Sequence, residues 1–344
     1  MADHVVMMIV QSSAELERNG ITRSVCAHAV RTKRWTRLTH DTYLLAPKAE
    51  KVEIWLATLD HLVRRGGAPR GASHRSAAII HGFDGFTKPG KLARIAESWP
   101  LDVTASMTSS ADRKLIRSRR PIELVSQNGL CVTTIAQTLA DLGRFVSLDH
   151  LELAVESALR GPDPTDPYTW NQKLGAELES LLATDTNSVG RRALRQVLAR
   201  RPVGAMPTGS LAETVALQGF RSHGLGGLLR QPEIQVLDLK GRIRHTFYPD
   251  FADLIRGLLI EIDGIAAHSG EKLLQRDDRR QNLLQTVFQV IRFRAAVVFD
   301  DPLKVGLQTK LVWDALAPAG NPNADAYLQR IRLTQRGCQI RLNL

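Results

Sequence analysis

Residues 248–264 read YPDFADLIRGLLIEIDG, four acids among mostly apolar residues. Apolar residues around Phe251 and over 258–262 flank a short segment, 253–257, that closes on Gly257, the pattern of two strands joined by a turn. With the turn centred near Leu254, Ile255 and Arg256, an antiparallel register sets Asp250 opposite or nearly opposite Glu261. Directly opposed residues hold their Cβ atoms roughly 5 Å apart, a distance at which like charges repel. Glu261 and Asp263 are two residues apart, so both leave one face of their strand, about 6–7 Å from each other. Ile260 and Ile262 take the opposite face. Carboxylates converging on one side of a sheet are costly unless a cation lies between them. Mg²⁺ (or Mn²⁺) is such a cation, because it takes one or two carboxylates and completes its shell with water and substrate phosphate oxygens. The competing reading is an exposed edge hairpin whose acids face water or pair with Arg242, Arg244 and Arg256.

Working outward, 208–318 reads as one α/β domain. Ser210 caps a helix that carries Glu213, strands are expected at 234–239, 243–251 and 258–263, a long helix at 271–286, a strand at 288–293 and a last helix near 307–316. His268 follows Asp263 by five residues, in the loop that leaves the strand through Gly264, where an imidazole could polarise a bound water or steady a leaving group. Lys272 and the block QRDDRRQN (275–282), with Arg279 and Arg280, put cations close to the acids, as contact with a scissile phosphate requires. The plainer alternatives are a solvated loop histidine and an internally paired helix face.

The whole chain has 344 residues, enough for two or three domains with cores of their own. Its 46 Lys and Arg against 35 Asp and Glu leave a formal charge of +11, which makes a polyanion, nucleic acid first, the partner to consider. Hydrophobic content of 43% and charged content of 24% are those of a soluble globular protein. Cys26, Cys131 and Cys338 lie far apart without metal-ligand spacing, which points to a reducing cytoplasm rather than a disulfide framework or zinc site. The apolar run 5–10 is too short for a secretory core, and no segment reaches membrane-spanning length.

Residues 1–50 read helix, turn, helix, hairpin. Ser12 and Ser13 precede a short helix that stops at Asn19-Gly20, Thr22 caps a second helix running to Arg34, and 35–45 alternate about His40-Asp41 as a hairpin does. That order is the order of a winged helix. Arg23, His28, Arg31, Lys33, Arg34 and Arg37 sit on its second helix and wing, where they suit phosphate contact, or else simply solvate a surface helix. Residues 51–160 are mixed: a helix at 52–63, strands at 101–106 and 122–126, a basic segment at 113–120, a turn at Asn128-Gly129, and helices opened by Thr133/Thr134 and Ser147. His74 and His81 bracket an Ala/Ile helix and suit packing or capping better than metal ligation, since no third ligand has fitting spacing. GPDPTDP (161–167) opens a linker and basic helical segment that extends to 207, and 319–344 form a basic tail.

The ordered set Glu213, Pro249-Asp250, Glu261-x-Asp263-Gly264, His268, an Asp/Arg-rich helix and FQVIRF (288–293) resembles the PD-(D/E)xK nuclease superfamily, specifically the very-short-patch-repair-like endonuclease domain frequent in actinobacteria. The resemblance covers about 208–304. GITRSVCAHAVRTKRWTRLTHDTYLL (20–45) similarly resembles the AbiEi-type winged-helix antitoxin domain, and ASHRSAAIIHGFDG (72–85) with NGLCVTTIAQTLADLGR (128–144) resembles the segment that often joins the two. The resemblance implies an α/β multidomain protein with an N-terminal winged helix, a mixed α/β middle region and a C-terminal restriction-endonuclease-like α/β/α domain. It implies a Mg²⁺- or Mn²⁺-dependent endonuclease hydrolysing phosphodiesters of double-stranded DNA, in repair or phage defence. Asp250 and Glu261 would hold the metal, Asp263 would tune or join the coordination, and Glu213 would complete the acidic set. His268 would activate water or assist the leaving group, while Arg279 and Arg280 would contact phosphate. A second copy of the chain or a protein partner is the further association open to it. The chain departs from the pattern where the superfamily's lysine is replaced by Asp263, where Gln281 stands for an acid and where Val287 stands for Gly. The missing lysine shifts the basic role to His268 or Lys272, or else leaves a non-catalytic, antitoxin-like DNA-binding regulator.

Overall fold

The computed structural model describes residues 10–46, 51–64, 69–86, 100–106, 116–118, 122–127, 129–160, 172–184, 188–202, 204–264, 284–316 and 331–341. The chain is mixed α/β with several small sheets and divides into two compact units, 1–142 and 143–344. Among the described residues no helix is long and apolar enough to cross a membrane.

The first unit begins with β1 (Val10–Ser12), α1 (Ser13–Arg18), α2 (Arg23–Arg31), β2 (Thr36–Thr39) and β3 (Thr42–Leu44), the three strands ordered β1-β3-β2. Ser12 starts α1 through a full capping box with Glu15, and Gly20, at φ 77°, turns the chain out of it. α2 stops at Arg31 rather than continuing to Arg34, because Lys33 adopts φ 55° and redirects the backbone into β2. Leu16, Cys26 and Tyr43 form the small core, with Ile21, Val30, Trp35 and Leu45 against it.

The unit continues with α3 (Lys51–Arg64), β4 (Arg70–Ala72), α4 (His74–Ile80), β5 (Val103–Ser106), β6 (Ile116–Ser118), β7 (Leu124–Gln127), β8 (Leu130–Thr133) and α5 (Ile135–Leu142). The five strands are ordered β6-β5-β4-β8-β7, so part of the basic segment 113–120 is an edge strand. Trp55, Leu59 and Leu62 of α3 pack on Ala72, Val103 and Val132 of this sheet. His74 is buried with its Nδ1 at 2.9 Å from Ser73 Oγ, and His81 Nε2 lies 2.8 Å from Thr133 O. Both histidines therefore serve packing. Burial also pushes the His81 pKa down.

The second unit opens with α6 (Leu148–Leu159), α7 (Gln172–Thr184) and α8 (Val189–Ala199). The segment 161–207, with α7 and α8, lies within this unit. α9 (Leu211–Ser222), β9 (Leu229–Arg230), β10 (Glu233–Leu237), β11 (Ile243–Phe247), β12 (Phe251–Asp253), β13 (Leu258–Asp263), β14 (Gln289–Arg294), α10 (Ala295–Asp300), α11 (Pro302–Ala315), β15 (Ile331–Leu333) and β16 (Gly337–Arg341) follow. They build two four-stranded sheets, β14-β13-β12-β9 and β11-β10-β16-β15.

The strand expected over 243–251 is two strands in different sheets, β11 and β12, broken at Tyr248-Pro249-Asp250, because proline has no N–H to give a ladder. One face of the first sheet buries Phe251, Leu258, Ile260 and Ile262 against Val215, Phe220, Val298 and Val305 of the helices. The opposite face, through Ala252 and Leu259, packs among the described residues on Ile234, Val236, Cys338 and Ile340 of the second sheet, with Leu284 and Phe288. The tail is part of this layer: β16 pairs parallel with β10, Glu233 beside Gly337 through Leu237 beside Arg341. All three cysteines are free, and burial lifts the Cys338 thiol pKa to about 12.

Candidate functional site

The site is built on β12 and β13, joined by a turn that Asp253 organises. Asp253 Oδ1 accepts from the N–H groups of Ile255 and Arg256, both at 3.0 Å, and its Oδ2 accepts from Trp313 Nε1 at 2.8 Å. Gly257, at φ 71°, completes the turn. One of the acids of the opening stretch is therefore structural.

The turn sets the register. Phe251 pairs with Ile260, Ala252 with Leu259 and Asp253 with Leu258. The ladder ends at Phe251, and the same register carried one residue further implies Asp250 opposite Glu261. The Asp250 carboxylate lies against β13, its Oδ2 accepting from the Ile262 N–H at 2.5 Å. Because Ile260 and Ile262 pack into the helix-side core, Glu261 and Asp263 leave the other face. Glu261 is only 8% exposed, which removes the reading of a water-facing edge acid. The three arginines offered as its neutralisers are engaged elsewhere. Arg242 and Arg244 bridge to Asp238, while Arg256 stacks over Trp313 at 3.6 Å and donates to the Leu316 carbonyl at 2.8 Å.

Glu213 is placed differently. It is the third residue of α9, whose N-cap Ser210 accepts its backbone N–H at 3.2 Å. Its Oε2 accepts from the Gly209 N–H at 2.6 Å and from Gln231 Nε2 at 3.4 Å. Burial raises its pKa, and the hydrogen bonds from Gly209, Ser210 and Gln231 only partly oppose this. The side chain thus braces the start of its helix and reaches the Asp250 segment indirectly, because the Gln231 N–H also donates to the Asp250 carbonyl at 3.0 Å. Gln231 makes both contacts from a left-handed backbone at φ 46°, and its Oε1 is buried without a hydrogen-bond partner among the described residues. Among the described residues no group of three or more His, Cys, Asp or Glu could hold a metal. A pair of carboxylates suffices for Mg²⁺, however, and the all-oxygen donors of Asp250 and Glu261 fit that hard cation.

His268, Lys272, Arg279, Arg280 and Gln281 lie outside the described residues. The residue that sequence reading passed over is Arg292. In the parallel ladder of β13 and β14, Glu261 stands beside Arg292, whose Nη1 lies 3.9 Å from Asp263 Oδ1. Its signal was present in FQVIRF, but only the register assigns it to the carboxylate face.

In the first unit, Arg23, His28, Arg31, Lys33, Arg34 and Arg37 are all exposed, while Cys26 and Ala29 turn α2 inward. Arg23 bridges to Glu17 at 3.1 Å, Arg34 donates to Thr32 Oγ1 at 3.3 Å and Arg37 donates to the His40 carbonyl at 2.5 Å.

Comparison of the chain with protein-family models finds no match, and comparison with curated proteins finds none either.

Proposed function

We propose that this chain is a DNA-binding protein whose second unit is a Mg²⁺- or Mn²⁺-dependent endonuclease of PD-(D/E)xK type, similar to the very-short-patch-repair-like group. The observation that carries the reading is the placement of Asp250 and Glu261, across one strand pair and beside Asp263, at a sheet face where Glu261 is nearly withdrawn from water. Like charges set opposite each other across a strand pair repel, and a bound cation would offset that repulsion. Asp250 and Glu261 would hold the metal, which when bound would polarise a phosphate oxygen and lower the pKa of a coordinated water. The residues themselves present oxygens in a fixed geometry, Asp250 steadied by the Ile262 N–H.

The first unit's element order, with cations exposed on α2 and the hairpin, supports a winged helix that binds double-stranded DNA through phosphate contacts. Incubating the full-length protein with duplex DNA and Mn²⁺ tests the enzyme: nicking or cleavage is expected, and its loss in Glu261→Gln. A second reading, a non-catalytic DNA-binding regulator, draws support from the commitment of Glu213 to its own helix start. On that reading DNA is bound but never cut, and Mn²⁺ leaves the melting temperature unchanged, whereas a native-state ligand must raise it.

A further inference from the structure

We infer that Arg292 is the phosphate-binding catalytic side chain of this site, holding a non-bridging oxygen of the scissile phosphodiester beside Glu261 and Asp263. The inference rests on the nuclease reading above and adds to it the group that receives the substrate.

Three observations lead to it. First, direction: Ile291 and Phe293 pack on the helix-side core and Val290 on the opposite one, so the intervening Arg292 leaves the face that carries Glu261 and Asp263. Second, charge: Asp250, Glu261 and Asp263 bring three carboxylates to this region, and a fixed cation beside the metal that the nuclease reading places there favours the approach of a phosphodiester, itself an anion. The position two residues beyond Glu261 supplies none, being Asp263; the neighbouring strand does. Third, geometry: the other arginine–carboxylate pairs among the described residues lie within hydrogen-bond distance, and two of them are two-pronged. Arg75 donates to both oxygens of Asp102 at 2.8 and 2.9 Å, and Arg221 to both of Glu152 at 2.9 and 2.5 Å. Arg292 instead stays 3.9 Å from Asp263, beyond hydrogen-bond length, with its side chain 31% exposed. A guanidinium has five N–H donors in a fork matched to phosphate oxygens, and among the described residues this loose pairing leaves them to be used.

In the hydrolysis, a water oxygen adds to phosphorus and the bond from phosphorus to the departing alkoxide breaks. One water proton ends on that alkoxide, giving an alcohol, and the other is released from the new phosphate monoester. Arg292 exchanges no proton. It stays cationic and stabilises charge that grows on the phosphate oxygens in the transition state.

The test uses full-length wild type, Arg292→Met, Arg292→Lys and Asp263→Asn, with an end-labelled DNA duplex. Cleavage is followed in Mn²⁺, duplex affinity by anisotropy at several salt concentrations in chelator, and melting temperature in chelator. Arg292→Met is expected to cut about 100-fold more slowly, the scale of a lost oxyanion donor. It should also bind duplex with a log–log salt slope shallower by about 1, one phosphate contact, at an unchanged melting temperature. Arg292→Lys should recover the salt slope and only part of the rate, since an ammonium restores charge without the fork. If Arg292→Met and Asp263→Asn lower the melting temperature alike, and Arg292→Lys restores neither rate nor slope, the residue is only a salt-bridge partner and the inference falls. Unaltered cleavage and binding in Arg292→Met also overturns it while leaving the nuclease reading intact. A wild type that neither binds nor cuts DNA removes both.

Discussion

Glu156 and Glu213 are two buried glutamates whose environments push in opposite directions. For Glu156, burial alone would raise the pKa, but Arg201 and Arg230 beside it hold it below its ordinary 4.5. A depressed carboxylate contributes stability that is fully present above the unfolded value and is lost as pH falls through the folded one. For Glu213, burial wins and the pKa is raised. Its contribution is fully present below the unfolded value and is lost as pH rises through the folded one. Glu213→Gln keeps an acceptor for the Gly209 N–H and carries no charge, so it should melt higher than wild type at pH 7, with the difference closing near pH 4. Thermal melts across that range check the sign. At the site itself, Asp250→Asn and Glu261→Gln should each abolish Mn²⁺-dependent cleavage, and the double variant should be no worse than either, because groups that act as one unit are strongly non-additive. Melting temperatures in chelator should hold or rise in all three, since a repulsion is relieved. Full cleavage by either single variant would remove the two-carboxylate site. The strand pattern of 248–264 was enough to expect this pair. The separate duties of Asp253 and Glu213 were not legible, because an acid that caps a turn or a helix has the same letter as one that binds a metal.

At the scale of elements, the second unit is tied by charge as well as by apolar packing. Glu152 and Glu156, both fully buried on α6, meet Arg221 of α9, Arg200 and Arg201 just beyond α8, and Arg230 of β9. The Thr208 N–H adds a bond to Glu156 at 3.1 Å. Removing one member of such a pair leaves the others charged and buried, so Glu156→Gln should cost about 3–5 kcal/mol. Urea denaturation monitored on the second unit measures it, and a loss below about 1 kcal/mol would mean the cluster is solvated like surface pairs. α9 and α11 cross where two glycines meet. A Cβ on Gly306 would lie 2.2 Å from the Gly219 carbonyl oxygen, and one on Gly219 would lie 2.0 Å from that of Pro302. Gly306→Ala should therefore destabilise by about 1–3 kcal/mol through forced separation of the helices, visible as a lower melting temperature. Helix starts were largely readable from Ser12, Ser147, Ser210 and the Asn19-Gly20 stop, because caps are local chemistry. The basic run 191–201 was legible as a helical segment, but not the partners of its arginines. Nothing local distinguishes an arginine that faces water from one that meets a buried glutamate some 45 residues away.

For the whole molecule, the +11 charge matters only where it reaches solvent. Arg201 and Arg230 are sequestered by Glu156, whereas Arg31, Lys33, Arg34 and Arg37 are exposed in the first unit. Replacing these four by alanine should weaken duplex binding and flatten its log–log salt slope by about 3–4, at about 0.9 per phosphate contact released. Isotherms at several salt concentrations decide, and an unchanged slope would take DNA contact away from α2 and its hairpin. Short-range physics made several features legible in the sequence: the α2 and hairpin order, the turn at 253–257, the β12–β13 register, and the alternation that sends Ile260 and Ile262 one way and Glu261 and Asp263 the other. Long-range packing alone sets 243–251 into two sheets, lays β16 parallel beside β10 a hundred residues earlier, covers the site's side of β13 with a second sheet, and stands Arg292 next to Glu261. The reason is physical. Caps, turns and strand alternation are paid for within a few residues, whereas a parallel pairing or a buried ion pair gains its energy from a partner far along the chain that no local pattern names.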